Sequence, residues 1–258
     1  MAGQVLEDVY DNCFAGRRVL VTGAGKGLGY AIAKKFYEHG ASVFALDKNK
    51  KSLEALKDEL KNVTIITVDL RDWDETRRLV KSIAPIDHLV NNAAISQTSY
   101  FEEVDPTQID ELFNVNFKAV VNVTQTVVKG LEAAKRTQGA TIVNVSSCFD
   151  TTPSKGISMY SCTKAALLML TKSMALELGD QGVRVNCISP APTVVLHEMF
   201  VSPNPKIIQE TQKILDRQII KRPVQPSEAA EIVMFLSSPS SSMITGSSLP
   251  VDGGIFTR

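Results

Sequence analysis

The chain is predicted to fold as an α/β protein, a Rossmann-like doubly wound parallel sheet in a three-layer α/β/α arrangement. Three observations predict it. Short apolar, β-branched runs alternate with helical stretches along the sequence, the pattern of a parallel sheet covered on both faces. The first run leads straight into a glycine-rich turn, Gly23-Ala24-Gly25-Lys26-Gly27-Leu28-Gly29, that opens a helix. The residues best suited to hold a ligand, Gly23, Asp47, Asp69, Asn91, Ser147 and Pro190, all fall at the ends of such runs, where open α/β sheets bind their ligands.

Composition narrows the rest. The 258 residues are 44% hydrophobic, enough for one substantial core, and no repeat or linker divides them. One domain is expected over residues 16–258, behind an extension at 1–15 that lies on the surface or at a subunit contact. Lys+Arg and Asp+Glu both number 28, so no net charge draws the chain to nucleic acid or an anionic membrane. Cys13, Cys148, Cys162 and Cys187 are scattered without metal-type spacing and read as reduced thiols, with no metal site. No apolar run approaches a membrane span. The first fifteen residues carry Glu7, Asp8 and Asp11 and no basic stretch, unlike a secretory leader. A cytoplasmic protein is expected.

The elements follow in order. Residues 17–22 form a buried strand. Gly23, Gly27 and Gly29 after it permit a tight turn that brings backbone N–H groups to a pyrophosphate at a helix N-terminus, a reading supported by the strand–turn–helix context. That helix spans about 31–37 and closes at Gly40. A second strand, 42–46, ends at Asp47, whose carboxylate suits ribose hydroxyls and repels a 2′-phosphate, favouring NAD. Lys26 and Lys48 beside it attract a 2′-phosphate, favouring NADP, and the choice stays open. Residues 51–60 are helical, with Leu53, Leu56 and Leu60 on one face. A third strand, 63–68, delivers Asp69 and Leu70; Asp69 suits either an adenine amino group or the cap of the next helix, 73–83. A fourth strand, 87–90, ends in Asn91-Asn92-Ala93-Ala94, small enough to pass close to a flat ligand. A long helix covers 106–136 with Asn116 inside it, unfavourable on propensity unless it faces water or makes a buried polar contact. A fifth strand, 140–145, delivers Ser146 and Ser147. The helix 159–178 carries Tyr160 and Lys164, a sixth strand, 183–188, runs to Pro190, and 194–221 reads as a substrate lid. A helix opening at Pro226 and a strand at 248–251 complete the sheet.

Tyr160 and Lys164 are spaced i, i+4, on one face of one helix. An ammonium there favours the charged form of the phenol and is expected to lower its pKa toward neutrality. Tyr160 then suits proton transfer, and a hydroxyl at Ser147 suits holding a carbonyl oxygen beside it.

Taken together, Thr22 to Gly29, Asn91 to Ala94, Asn116, Ser147, Tyr160-x-x-x-Lys164 and Asn186-x-x-x-Pro190 resemble the short-chain dehydrogenase/reductase family over about residues 16–254. Within it, the stretches 16–27 and 174–179 are similar to a branch of tetrameric, NADPH-dependent carbonyl reductases of carbohydrate metabolism that act on dicarbonyls and ketoses such as L-xylulose. The resemblance implies that Tyr160 is the general acid. Lys164 would bind nicotinamide-ribose hydroxyls, Ser147 would orient the carbonyl, and Asn116 would hold a water behind Lys164. Gly23, Lys26, Gly27, Leu28, Gly29, Asp47, Lys48, Asp69, Leu70, Asn91, Ala93 and Pro190 would hold the cofactor, with Val194 at the carboxamide. It favours NADP(H), whereas Asp47, where NADPH-using members carry a small residue, favours NAD(H). Ala191 replaces a usual glycine, His197 falls near the carboxamide site, and 150–157 lacks the polar residues that flank a sugar. The expected activity is hydride transfer between NAD(P)H and a dicarbonyl, ketone or ketose, in a homotetramer. The alternatives are an NAD-dependent alcohol or steroid dehydrogenase and a non-catalytic dinucleotide-binding subunit.

Overall fold

Seven β-branched or apolar runs pair as parallel strands in the computed structural model, which describes residues 10, 12–137, 139–193, 206, 209, 212–213 and 216–255. They are β1 (Arg18–Thr22), β2 (Ser42–Asp47), β3 (Thr64–Thr67), β4 (His88–Asn91), β5 (Thr141–Val145), β6 (Arg184–Pro190) and β7 (Ser248–Val251). Their order is β3-β2-β1-β4-β5-β6-β7, with every pairing parallel. Helices α1 (Gly27–Glu38), α2 (Lys50–Glu59), α3 (Trp73–Ser82), α4 (Pro106–Phe113), α5 (Ala119–Ala134), α6 (Ser158–Leu178) and α7 (Pro226–Ser237) cover it.

Side chains alternate across each strand and feed two cores. Val19, Val21, Val43, Ala45, Val143 and Val145 face one, beneath α1, α2 and α7, through Phe36, Leu53, Leu56 and Met234. Leu20, Phe44, Leu46 and Ile142 face the other, beneath α3, α5 and α6, through Val80, Val127, Leu131 and Ala175. Each fully buried Leu, such as Leu20, Leu46 or Leu89, contributes roughly 1.5–3 kcal/mol. These two faces fix the register, so the carboxyl ends of β1 to β6 line up along one rim.

Two expectations change. The long helix at 106–136 is interrupted: α4 gives way to a π-helical turn, Asn114–Lys118, before α5. The extra residue per turn carries Asn116, which is buried. β6 ends at Pro190, as expected, paired with Val251. The described end of the N-terminal extension is also not superficial. Phe14 is fully buried, with its ring 5.0 Å from that of Phe36 and 5.5 Å from that of His88. Its aromatic surface closes the core below the amino ends of the strands. Most of the expected lid, 194–205 above all, lies outside the described residues.

Candidate active site

The glycine turn is shaped by what passes beneath it. Gly23 has φ +65°, and a Cβ there would lie 2.8 Å from the Cα of Ala93. A Cβ on Gly29 would meet the Gly23 carbonyl oxygen at 2.1 Å, so no side chain fits at either position. Asn92 locks the crossing. Its Nδ2 donates to the carbonyls of Thr22 (3.0 Å) and Gly23 (3.1 Å), while Thr22 Oγ1 accepts from the backbone N–H groups of Asn92 and Ala93. No side chain caps the N-terminus of α1, which leaves its first amides to meet an anion. Asp47 is held in place by two backbone donors, Gly25 N to Oδ2 at 3.0 Å and Asn49 N to Oδ1 at 2.9 Å.

From this turn a cavity of about 470 Å³ runs along the carboxyl rim. Gly23, Lys26, Gly27, Leu28, Gly29, Asp47, Lys48, Asp69, Leu70, Ala93, Tyr160, Lys164 and Pro190, all expected from the sequence, lie on its wall. Asn91 does not. Its Nδ2 donates to Thr124 Oγ1 (3.1 Å) and Asn144 Oδ1 (2.9 Å) in the interior; strand alternation turns it away from the rim, and Asn92 takes the wall instead. Val194 and His197 lie outside the described residues. Asp69 does not cap α3, since Asp72 Oδ1 accepts the Glu75 N–H. Asp69 pairs instead with Arg71, Nη2 to Oδ2 at 2.6 Å, and this guanidinium holds its carboxyl below the usual range.

The sequence reasoning missed several wall residues: Asn92, Ser146, Arg71, Gln97, Glu111 and Thr193. Asn92 and Ser146 adjoin residues that were singled out, and Arg71 lies two beyond Asp69. Gln97 and Glu111, joined Nε2 to Oε2 at 2.6 Å, carry no local signal; the chain brings them together only through the loop after β4.

At the far end of the cavity, α6 and the end of β5 bring Tyr160, Lys164 and Ser147 together, all buried. The Tyr160 hydroxyl is hydrogen-bonded to the Ser147 side chain, and Ser147 Oγ also accepts the Phe149 N–H at 3.3 Å. Lys164 Nζ lies 5.6 Å from the centre of the Tyr160 ring and donates to the Val145 carbonyl at 2.8 Å. Asn116 stands one step back. Its Oδ1 accepts the Ile95 N–H at 2.9 Å, and its Nδ2 donates to the Ile95 carbonyl (2.9 Å) and to Thr163 Oγ1 (3.1 Å). Both amide hydrogens are spent, and the Asn116 side chain tethers the loop after β4 to α6.

The electrostatics overturn one expectation. Burial pushes the Tyr160 phenol well above its usual value; the Ser147 hydrogen bond opposes this, and Cys148 and Asp150 add to it. Lys164 does not bring the phenol toward neutrality, because burial acts on both groups and lowers the lysine to about 8, against the opposing pull of Cys187 and Asp150. Cys148 is fully buried and its thiol is pushed up to about 12 by that burial; it fills space. Tyr160 and Lys164 thus line one end of a cavity whose other end is an uncapped helix N-terminus, with Ser147 beside Tyr160 but off the wall. A long, jointed anion with a flat ring at one end fits these walls, as a dinucleotide does. Among the described residues no helix is long and apolar enough to cross a membrane.

A sequence profile described as short chain dehydrogenase matches residues 17–205. L-xylulose reductase of Mesocricetus auratus is 42% identical over 242 residues, 94% of this chain and 97% of that protein. D-erythrulose reductase of Gallus gallus is 40% identical over 246 residues, 95% and 98% of the two chains. Among solved structures, a gluconate 5-dehydrogenase from Burkholderia cenocepacia J2315 in complex with NADP and tartrate superposes with a TM-score of 0.87 at 27% identity, covering 98% of this chain and 99% of that one.

Proposed function

Because the chain belongs to the short-chain dehydrogenase family and is an oxidoreductase, we propose that it reduces small carbonyl compounds, dicarbonyls, ketones and ketoses of the L-xylulose or erythrulose type, with a nicotinamide dinucleotide. The observation that carries this reading is the Tyr160–Ser147 hydrogen bond at the end of the cavity that starts at the glycine turn. The bound cofactor supplies the hydride to the carbonyl carbon. Ser147 and Tyr160 present hydroxyls to the carbonyl oxygen, and Tyr160 donates the proton that completes the alcohol. The Tyr160 phenol, kept protonated by burial, enters reduction in the form a general acid needs. Lys164, one turn on, has donors beyond the one given to Val145 for the ribose hydroxyls that position the ring.

The pinned carboxylate of Asp47 supports NAD(H) over NADP(H). Held by two backbone N–H groups, it has no freedom to turn away from a 2′-phosphate. Two like unit charges ~4 Å apart near a protein surface cost roughly 4 kcal/mol, offset in part by Lys26 and Lys48 on the same wall. The same preference favours a second reading, oxidation of an alcohol or steroid with NAD by the same groups run in reverse. A homotetramer is part of the proposal: α6 turns Cys162, Met169 and Leu176 outward at seven-residue spacing, with Met169 61% and Leu176 84% exposed, a face for another copy. A cytoplasmic setting suits the thiols, free among the described residues.

Steady-state rates with diacetyl and L-xylulose, each with NADH and NADPH and in both directions, test the reading. Turnover of neither carbonyl with either cofactor overturns it. Light scattering at a single chain mass would remove the tetramer.

A further inference from the structure

A second cavity, of about 440 Å³, lies at the amino ends of the strands, on the rim opposite the proposed reaction. Three strands contribute to its wall: Arg17 stands just before β1, His88 begins β4 and Arg184 begins β6. The end of α7 adds Ser237, and the loop before β7 adds Ser242 and Thr245.

The wall is cationic. Among the described residues that line it, two are arginines and none is acidic. Asp87, next to His88, is spent elsewhere: its carboxylate accepts the Arg18 N–H at 2.9 Å and pairs with Arg136 at 2.7 Å. Arg184 meets only neutral oxygens among the described residues. Its Nη1 donates to Ser241 Oγ (2.9 Å) and to the Ile244 carbonyl (3.2 Å), and its Nη2 donates to the Ser238 carbonyl (3.0 Å). A guanidinium has five N–H donors, so these bonds leave some of them for a ligand. Arg184 is half-buried, and burial alone presses its pKa down. A charge drawn out of water among neutral groups is better satisfied by an opposite charge.

Ser237 points the same way by a different route. It is 3% exposed, it lines this cavity, and its Oγ has no hydrogen-bond partner among the described residues. A buried hydroxyl left without a partner is costly. An anion in the cavity supplies the acceptor.

We propose that this cavity is a second ligand site that binds a phosphate group, free or carried on a small metabolite, between Arg17 and Arg184 with the Ser237 hydroxyl as a further donor. A phosphate has oxygens enough for both guanidinium forks and the hydroxyl. The volume is that of a small-molecule site. The site does not depend on the reaction proposed at the carboxyl rim.

Calorimetric titration of the full chain with inorganic phosphate and with ribose 5-phosphate, at ionic strength matched with chloride, tests it. Saturable binding is expected. A sugar phosphate that binds more than about tenfold tighter assigns the site to an organic phosphate, and a smaller gap assigns it to the free ion. Arg17→Gln, at an exposed position, and Ser237→Ala are each expected to weaken binding by about fivefold or more. Ser237→Ala removes a hydroxyl that no other described residue uses, so its melting temperature without ligand should be unchanged or higher. That separates loss of the site from loss of the fold. Lys26→Gln, at the glycine turn that also draws anions, should leave the affinity unchanged. The proposal is overturned if neither phosphate binds saturably, or if affinity falls in Lys26→Gln and holds in Arg17→Gln and Ser237→Ala. An enzyme inactive on every carbonyl would sink the proposed reaction and leave these titrations standing.

Discussion

Lys164 Nζ lies 5.6 Å from the centre of the Tyr160 ring, yet its hydrogen bond goes to the Val145 carbonyl, while the Tyr160 hydroxyl is bonded to Ser147. The two side chains share a helix face without sharing a proton. The Tyr160 hydroxyl is therefore tuned by Ser147 and by burial, and in the proposed reaction the ammonium serves the cofactor.

Tyr160→Phe removes the hydroxyl and leaves the ring that packs in the core. Turnover is expected to fall by about 10²–10⁴, the usual worth of a positioned proton donor, with cofactor affinity nearly unchanged. Stopped-flow turnover and a fluorescence titration of the dinucleotide check the two halves. Retained turnover would remove Tyr160 from the reaction.

Lys164 burdens the fold at neutral pH. Its folded pKa, about 8, lies below its ordinary value of 10.5, so the unfolded chain binds more protons between those two values. The cost is fully present below about pH 8 and is relieved as pH rises toward 10.5. A shift of that size corresponds to roughly 3 kcal/mol. Lys164→Met should be the more stable protein at pH 7 by an amount of that order, less the lost bond to Val145, and the advantage should shrink above pH 8. Urea midpoints at pH 7 and 9.5 measure it; a gap that does not narrow contradicts the assignment.

The sequence exposed what periodicity and strand ends encode. The alternation of Val19, Leu20 and Val21 sends side chains to two cores, and that pattern is local. The glycine turn, Asp47 and Asp69 were legible because each sits at the end of a run, and the Tyr160–Lys164 pair because i, i+4 spacing on a helix is local. Asn91 misled because the residue at a strand end and its neighbour point in opposite directions, a matter of one position. The interruption at Asn116 was half visible, since a polar residue inside a long apolar helix needs a partner, but that partner is Ile95, 21 residues away. Gln97 and Glu111 were invisible because only the fold brings them to the cavity. The pKa of Tyr160 was misjudged because spacing reveals a neighbouring charge and says nothing of how much water is excluded.

Asp47→Ser removes the carboxylate proposed to meet the 2′ position and leaves Lys26 and Lys48. The ratio of kcat/KM for NADPH to that for NADH should rise by at least tenfold, corresponding to about 1.4 kcal/mol. Stability should fall modestly, because the part-buried bond from Gly25 N and the exposed one from Asn49 N are lost, at about 1 kcal/mol each. Dinucleotide titrations and thermal melts separate the effects. An unchanged cofactor ratio would mean that the ribose lies elsewhere on the wall.

His88 sets the acid limit of the fold. It is buried between Phe14 and Phe36, with Nδ1 2.8 Å from Thr141 Oγ1. Burial lowers its pKa from 6.5 to about 4, against the opposing charge of Asp87. Between those values the unfolded chain is protonated and the folded chain is not, so stability is lost as pH falls from 6.5 toward 4, by roughly 3 kcal/mol in full. His88→Phe keeps an aromatic ring against Phe14 and Phe36 and has no proton to gain. It should be less stable than the native chain at pH 7, having lost the bond to Thr141, and should lose less on acidification. Urea midpoints at pH 7, 5.5 and 4.5 for both proteins provide the comparison. Parallel curves would show that another group, such as the Asp87–Arg136 pair, controls the acid limb.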